Sequence, residues 1–195
     1  MQGHNSTCTN HCGRQRLITG FAMDNRFLIL IILFLSSLAV RSVYELLKEA
    51  RRINPGNKQI FAVIFSVMCV LWVSWFSLCP VDPVRVDIPD AIRWAGLGVF
   101  ILGSLLAVGA LIQLRGVENI DHLVTTGLFK RIRHPMYAGF ICWFLGWSLY
   151  HRAGVSLVIG LIGIASVLWW RHLEEARLEA QFGNSYRQYR RTTWF

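Results

Sequence analysis

Two short clusters hold most of the residue types in this chain that could do chemistry. The stretch "RIRHPMYAGF", residues 131–140, sets Arg131, Arg133, His134 and Tyr137 against an apolar run that continues to Tyr150. The stretch "RHLEEARLEAQFGNSYRQY", residues 171–189, follows a second apolar run and carries Arg171, His172, Glu174 and Glu175. His134-Pro135 reads as a helix start, because proline at the first helical position loses no hydrogen bond and presets φ. His134 then sits at the helix mouth, where unpaired backbone N–H groups face a ligand. Arg171 is suited to a carboxylate, which a guanidinium grips with two parallel hydrogen bonds. An Arg and a Glu at the edge of a membrane are costly, and that cost favours a functional role. The plain alternatives stand beside this. Arg171 and Glu175, four apart on a helix, could simply pair with each other. Arg131, Arg133 and His134 could be interfacial anchors and topology signals, the reading kept for Arg131.

These clusters need elements to position them, and composition says which kind. The chain has 195 residues, of which 54% are hydrophobic and 16% charged, values that point to a membrane protein. Five apolar segments are close to the ~20 residues that a helix needs to cross a bilayer. They lie near Phe27–Tyr44, Ile60–Leu78, Ile92–Leu114, Met136–Tyr150 and Val155–Trp170, the fourth being short. Helices satisfy every backbone group inside lipid. "HRAG", residues 151–154, is a turn that makes the last two an antiparallel hairpin.

The formal charge is +9, and the basic residues sit between apolar runs, which favours membrane orientation over nucleic-acid binding. Segments 41–59, 113–134 and 171–195 carry most of the Lys and Arg, and the intervening segments carry few. The positive-inside rule then puts the N-terminus outside and the C-terminus in the cytoplasm, with five crossings. Residues 1–25 read as a polar, disordered or interfacial segment, 26–112 as the first three spans, and 113–195 as the functional region with the last two. Both chemical clusters fall on the basic, cytoplasmic side. The hairpin brings Arg133, His134 and Tyr137 close to Arg171, His172, Glu174 and Glu175.

Other features yield less. Cys8 and Cys12 with His4 and His11 have the composition of a metal site but match no zinc spacing, so no metal is expected. Residues 1–20 lack a signal-peptide layout, and Met23 is an alternative start. Asn5–Thr7 is a formal glycosylation triplet. Gly96, Gly98, Gly103 and Gly109 in the third span suggest close helix packing. "ARLEAQFGNSYRQYRR", residues 176–191, reads as an amphipathic helix along the membrane surface, interrupted at Gly183 in a left-handed cap.

"HLVTTGLFKRIRHPMYAGF", an apolar hairpin and then "RHLEEARLEAQFGNSYRQY" resemble the isoprenylcysteine carboxyl methyltransferase family, across roughly residues 110–192. The chain's length is similar to that of the compact prokaryotic members. The resemblance implies an all-α integral membrane enzyme that uses S-adenosylmethionine in a cytoplasmic pocket and releases S-adenosylhomocysteine. It implies cofactor contacts from Gln113, His122, Leu123, Val124, Phe129, His134, Pro135, Tyr137 and Glu174, with Arg171 and Glu175 at the reaction centre. Which of Glu174 and Glu175 touches the ligand is open, and the register at Asp121-His122 can slip by one. Gln113 could equally be an interfacial residue.

The implied acceptor is a lipophilic small molecule or prenylated peptide that enters sideways from the bilayer. A carboxylate acceptor needs no general base, only loss of water, neutralisation and alignment. Two rival readings are a phospholipid-type amine N-methyltransferase, which would want a base near the acceptor, and a non-enzymatic membrane scaffold.

Overall fold

The computed structural model describes residues 24–54, 56–114 and 123–195. The polar N-terminal segment with its cysteines and Asn5–Thr7 triplet, and the candidate residue His122, lie outside the described residues. Among the described residues six α-helices follow in order: α1 (Asn25–Glu49), α2 (Lys58–Leu78), α3 (Asp90–Leu114), α4 (Pro135–Tyr150), α5 (Gly154–Phe182) and α6 (Asn184–Thr192). Single 3₁₀ turns occupy Cys79–Val81 and Gly127–Lys130. Among the described residues the only β pairings are two isolated bridges.

Local chemistry sets the helix starts. The Asp24 side chain accepts from the Arg26 N–H and the Asn57 side chain from the Gln59 N–H, capping α1 and α2. Pro135 opens α4 directly after His134. Among the described residues four segments are long and apolar enough to cross a membrane: Asn25–Glu49, Lys58–Val81, Asp90–Leu114 and Gly154–Phe182. Helix α4 has 16 residues. That is about 24 Å of helix.

Several boundaries differ from the sequence reading. Helix α1 runs to Glu49 rather than ending near Tyr44, so Glu45, Lys48 and Glu49 belong to the helix. Helix α5 continues unbroken from the apolar run through Arg171, Glu174 and Glu175 to Phe182. Gly183 does have positive φ, but at φ 54 and ψ −123 it is not the expected left-handed helical cap. This backbone region belongs almost exclusively to glycine, and it turns the chain sharply into α6.

Helices α3 and α4 make the tightest pair, running antiparallel. Gly96 and Gly103 of α3 face Gly146 and Gly139 of α4. A Cβ added at Gly103 would lie 2.5 Å from the Cys142 Cβ and 2.7 Å from the Gly139 carbonyl, so no side chain fits there. Gly98 faces open space, and only part of the glycine series serves packing. Helix α5 turns back along α4, with Gly163 against the Phe144 ring and Gly160 against Trp75. Phe34, Trp72, Trp75, Phe140 and Phe144 form the aromatic centre of the bundle.

The far end of the hairpin is pinned by the loop before α3. Asp82 accepts from the Ser156 N–H and hydroxyl, both at 2.6 Å, and from Val84 N–H at 2.8 Å. Arg85 donates to the carbonyls of Cys79, Pro80 and His151. These contacts hold the α4–α5 turn so that the opposite ends of both helices meet at a fixed level. Helices α2 and α3, by contrast, hardly touch.

Candidate active site

The start of α4 and the end of α5's apolar stretch converge as the topology requires. Tyr137 donates its hydroxyl to Glu174 at 2.7 Å. Glu175, one residue on, is buried and receives Arg133 Nε at 3.3 Å. His134 Nε2 lies 3.4 Å from the same carboxylate oxygen, close enough for attraction but without an aligned hydrogen bond. The His134 and Tyr137 rings stack at 5.6 Å. The two glutamates therefore do different work: Glu174 faces Tyr137, and Glu175 balances Arg133 and His134.

Arg171 does not pair with Glu175 at i, i+4 as the plain alternative held. Its guanidinium stacks over the Phe195 ring at 4.8 Å, and its Nε is buried without a hydrogen-bond partner. Glu175 remains within its electrostatic reach.

Residues 193–195 close over this centre. Arg133 Nη1 donates to the Thr193 carbonyl at 2.6 Å and to the Arg190 carbonyl at 3.1 Å. Backbone bonds from Arg133 N–H to Trp194 and from His134 N–H to Phe195 extend the strap. The His134 N–H expected to face a ligand is thus used within the chain. Tyr189 of α6 donates to the Phe129 carbonyl at 2.5 Å. Tyr186 is buried with no partner for its hydroxyl, and burial, helped by the nearby Glu175 charge, pushes its phenol up to about 12. Burial also raises the Tyr189 phenol.

The remaining candidates line the preceding loop. Gln113 at the end of α3 spends its amide on that loop, with Nε2 donating to the Thr126 carbonyl at 2.5 Å and Oε1 accepting from Leu128 N–H at 3.1 Å. Gly127 between them has φ +60, and any side chain would collide with the Gln113 amide. Phe129 is buried, and Leu123 and Val124 are half-buried in the loop leading to it. The structure gathers His134, Pro135, Tyr137, Arg171, Glu174 and Glu175 into one centre, with Gln113 and Phe129 shaping its neighbouring wall.

Sequence reasoning missed a second charged group beside it. Arg41 pairs with Glu45 at 2.5 Å, and Glu45, only 1% exposed, also receives Arg177 of α5 at 2.6 Å. Arg41 stacks on both Tyr44 and Trp170 at 5.2 Å. Counted with the loop, Arg41 looked like a topology signal; the Arg-x-x-x-Glu spacing was the clue that the helix continued.

Between α2 and α3 lies a cavity of about 410 Å³, almost wholly apolar. Phe61, Phe65, Trp72, Val108 and Leu111 are among its walls, and Arg41, Tyr137 and Trp170 mark the end toward the charged centre.

The profile of the phospholipid methyltransferase family matches residues 91–185. The chain is 34% identical over 112 residues to the protein-S-isoprenylcysteine O-methyltransferase of Schizosaccharomyces pombe, covering 50% of this chain and 45% of that protein. It is 35% identical over 137 residues to the protein-S-isoprenylcysteine O-methyltransferase of Dictyostelium discoideum, covering 63% and 54%. It is 27% identical over 180 residues to the methanethiol S-methyltransferase of Pseudomonas deceptionensis, covering 84% and 68%. No solved structure gives a significant match. The chain is thus similar to membrane methyltransferases, protein-S-isoprenylcysteine O-methyltransferases among them. The chain spans about half the length of most of the relatives that it matches.

Proposed function

We propose that this chain is an S-adenosylmethionine-dependent membrane methyltransferase that methylates the carboxylate of a lipophilic acceptor. The observation that carries the proposal is the junction of a polar centre with an apolar cavity at Tyr137. A water-soluble cofactor and a lipid-soluble acceptor need two such compartments with a shared wall.

The residues present fit the cofactor. Arg171 Nε, His134 Nε2 and Tyr186 Oη are buried polar atoms without hydrogen-bond partners around Glu175. Buried polar groups are normally satisfied, so three orphans in one place suit a polar ligand. Glu174 would accept from the ligand's amine or ribose hydroxyls, His134 would donate to its carboxylate, and Tyr137 and Phe129 would supply aromatic surface. When bound, S-adenosylmethionine supplies a methyl group activated by its sulfonium.

The chain's own part is electrostatic. Arg171 would neutralise the acceptor carboxylate at the polar centre beside Glu175, beyond the cavity's inner end, where burial limits access of water. Glu175 holds Arg133 and His134 in place, keeping the strap of residues 193–195 closed over the centre.

The same reading assigns α4 as a fifth crossing. It lies antiparallel to α3 from the level of Gly103 to Arg93, whose Nε donates to the Tyr150 carbonyl. The site then faces the cytoplasm, as the basic segments favour.

Three relatives named methanethiol S-methyltransferase favour a second reading, a small thiol acceptor. Against it, a cavity of about 410 Å³ is far larger than a one-carbon thiol fills.

The cofactor is tested by adding S-adenosylhomocysteine to the purified protein in detergent. A ligand that binds only the folded state raises Tm by mass action. A rise with S-adenosylhomocysteine is expected. No rise at saturation, together with a rise from NADPH, would overturn the reading.

A further inference from the structure

Building on the carboxylate-acceptor reading, we propose that Arg41 selects the acceptor: it receives the anionic head of a long-chain amphiphile at the inner end of the α2–α3 cavity. The cavity itself points to Arg41. Its walls include Arg41, Tyr137 and Trp170 but not Arg171, so Arg41 is the cation that a molecule inside it meets. Among these wall residues Arg41 alone carries a full positive charge. The rest of the lining is overwhelmingly apolar, which excludes a hydrated ion and suits an alkyl or prenyl chain.

Burial makes the position costly. The Arg41 side chain is 12% exposed and sits well inside α1, eight residues before the helix ends at Glu49. An ionised group inside a membrane helix is by default a functional group. Simple helix pinning would need only the Glu45–Arg177 pair, which already joins α1 to α5 at 2.6 Å.

That second pair is what lets Arg41 serve a ligand. Glu45 accepts Arg41 on one oxygen and Arg177 on the other. When Arg41 turns toward an acceptor carboxylate, Glu45 keeps Arg177, and no buried carboxylate is stranded. The Arg41 guanidinium lies 5.2 Å from the centroids of the Tyr44 and Trp170 rings, and its planar fork can match a carboxylate.

The arrangement discriminates between substrate and product. A free acid carries the charge that Arg41 binds, whereas its methyl ester is neutral. Methylation therefore weakens the product's hold at the site and favours its release into the bilayer. A cationic amine acceptor is repelled at the same point.

The test measures binding in neutral detergent micelles without methyl donor. The probes are N-acetyl-S-farnesylcysteine and its methyl ester, which share one tail. The full chain should bind the acid at least tenfold more tightly than the ester. Arg41→Gln should bring the ratio close to one by weakening the acid only, and Arg41→Lys should restore part of it. S-adenosylhomocysteine affinity should stay at the wild-type level in both variants.

A wild-type ratio near one, or an unchanged ratio in Arg41→Gln, overturns the proposal. Should Arg41→Gln fail to fold, the double variant Arg41→Gln, Glu45→Gln removes both charges together. Independently, a farnesylcysteine carrying a diazirine beside its carboxylate should crosslink the wild-type chain near Arg41 on α1. Crosslinking confined to other helices also refutes it. If the ratio collapses in Arg41→Gln while S-adenosylhomocysteine fails to bind the wild type, the acceptor site stands and the methyl-transfer reading alone falls.

Discussion

Removing Arg171 should separate stability from turnover. Among the described residues Arg171 forms no ion pair, and its guanidinium lies over the Phe195 ring at 4.8 Å. Such a cation–π contact is worth about 0.5–2 kcal/mol. Arg171→Ala should therefore lower Tm by only a few degrees, because little in the resting protein depends on it. Turnover draws on a different quantity. Losing the partner of a desolvated carboxylate costs about 3–5 kcal/mol. On the rate scale that is roughly two to three orders of magnitude. Arg171→Lys should recover only part of the rate, since an ammonium lacks the planar fork. The assay measures methyl transfer to N-acetyl-S-farnesylcysteine, beside Tm and S-adenosylhomocysteine affinity on the same preparations. Near-normal turnover in Arg171→Ala would refute the argument, and so would a loss of turnover matched by equal loss of folding.

Tyr137→Phe removes the 2.7 Å hydrogen bond to Glu174 and should weaken S-adenosylhomocysteine binding about tenfold, the size expected of a bond to a charged acceptor, as read by calorimetric titration. Gly103→Ala should lower Tm by forcing α3 from α4, whereas Gly98→Ala should leave it unchanged or raise it slightly, since a Cβ at Gly98 meets nothing within 4 Å. The Tyr186 phenol, raised from 10.0 to about 12, should make stability fall as pH climbs from about 10 toward 12, because the unfolded chain loses this proton first. Tyr186→Phe should flatten that decline without loss of stability at neutral pH, as its hydroxyl has no partner; Tm across alkaline pH checks both.

The sequence made the helical bundle legible wherever apolar length decided the matter. It also exposed the α4–α5 hairpin, through "HRAG" and the Pro135 start, and so the meeting of Tyr137 with Glu174. What it hid were contacts between distant segments. Nothing local announces that Arg133 would staple Thr193, or that Phe195 would lie beneath Arg171. Arg41 was hidden differently: it counted among the basic residues of segment 41–59, whereas α1 continues through it to Glu49 and the buried Glu45 pairs with its charge. Gln113 shows the reverse. The resemblance implied a cofactor contact for it, and in the structure its amide bonds to the Gly127 turn.

The most direct test follows the methyl group. The purified chain is incubated with methyl-labelled S-adenosylmethionine and N-acetyl-S-farnesylcysteine, and the labelled lipid is treated with base. A carboxyl methyl ester hydrolyses and releases its label as methanol, whereas a methyl group on nitrogen or as a thioether survives. The account predicts label in the lipid fraction that base releases almost completely. Label that resists base, or no label in the lipid at all, would contradict it.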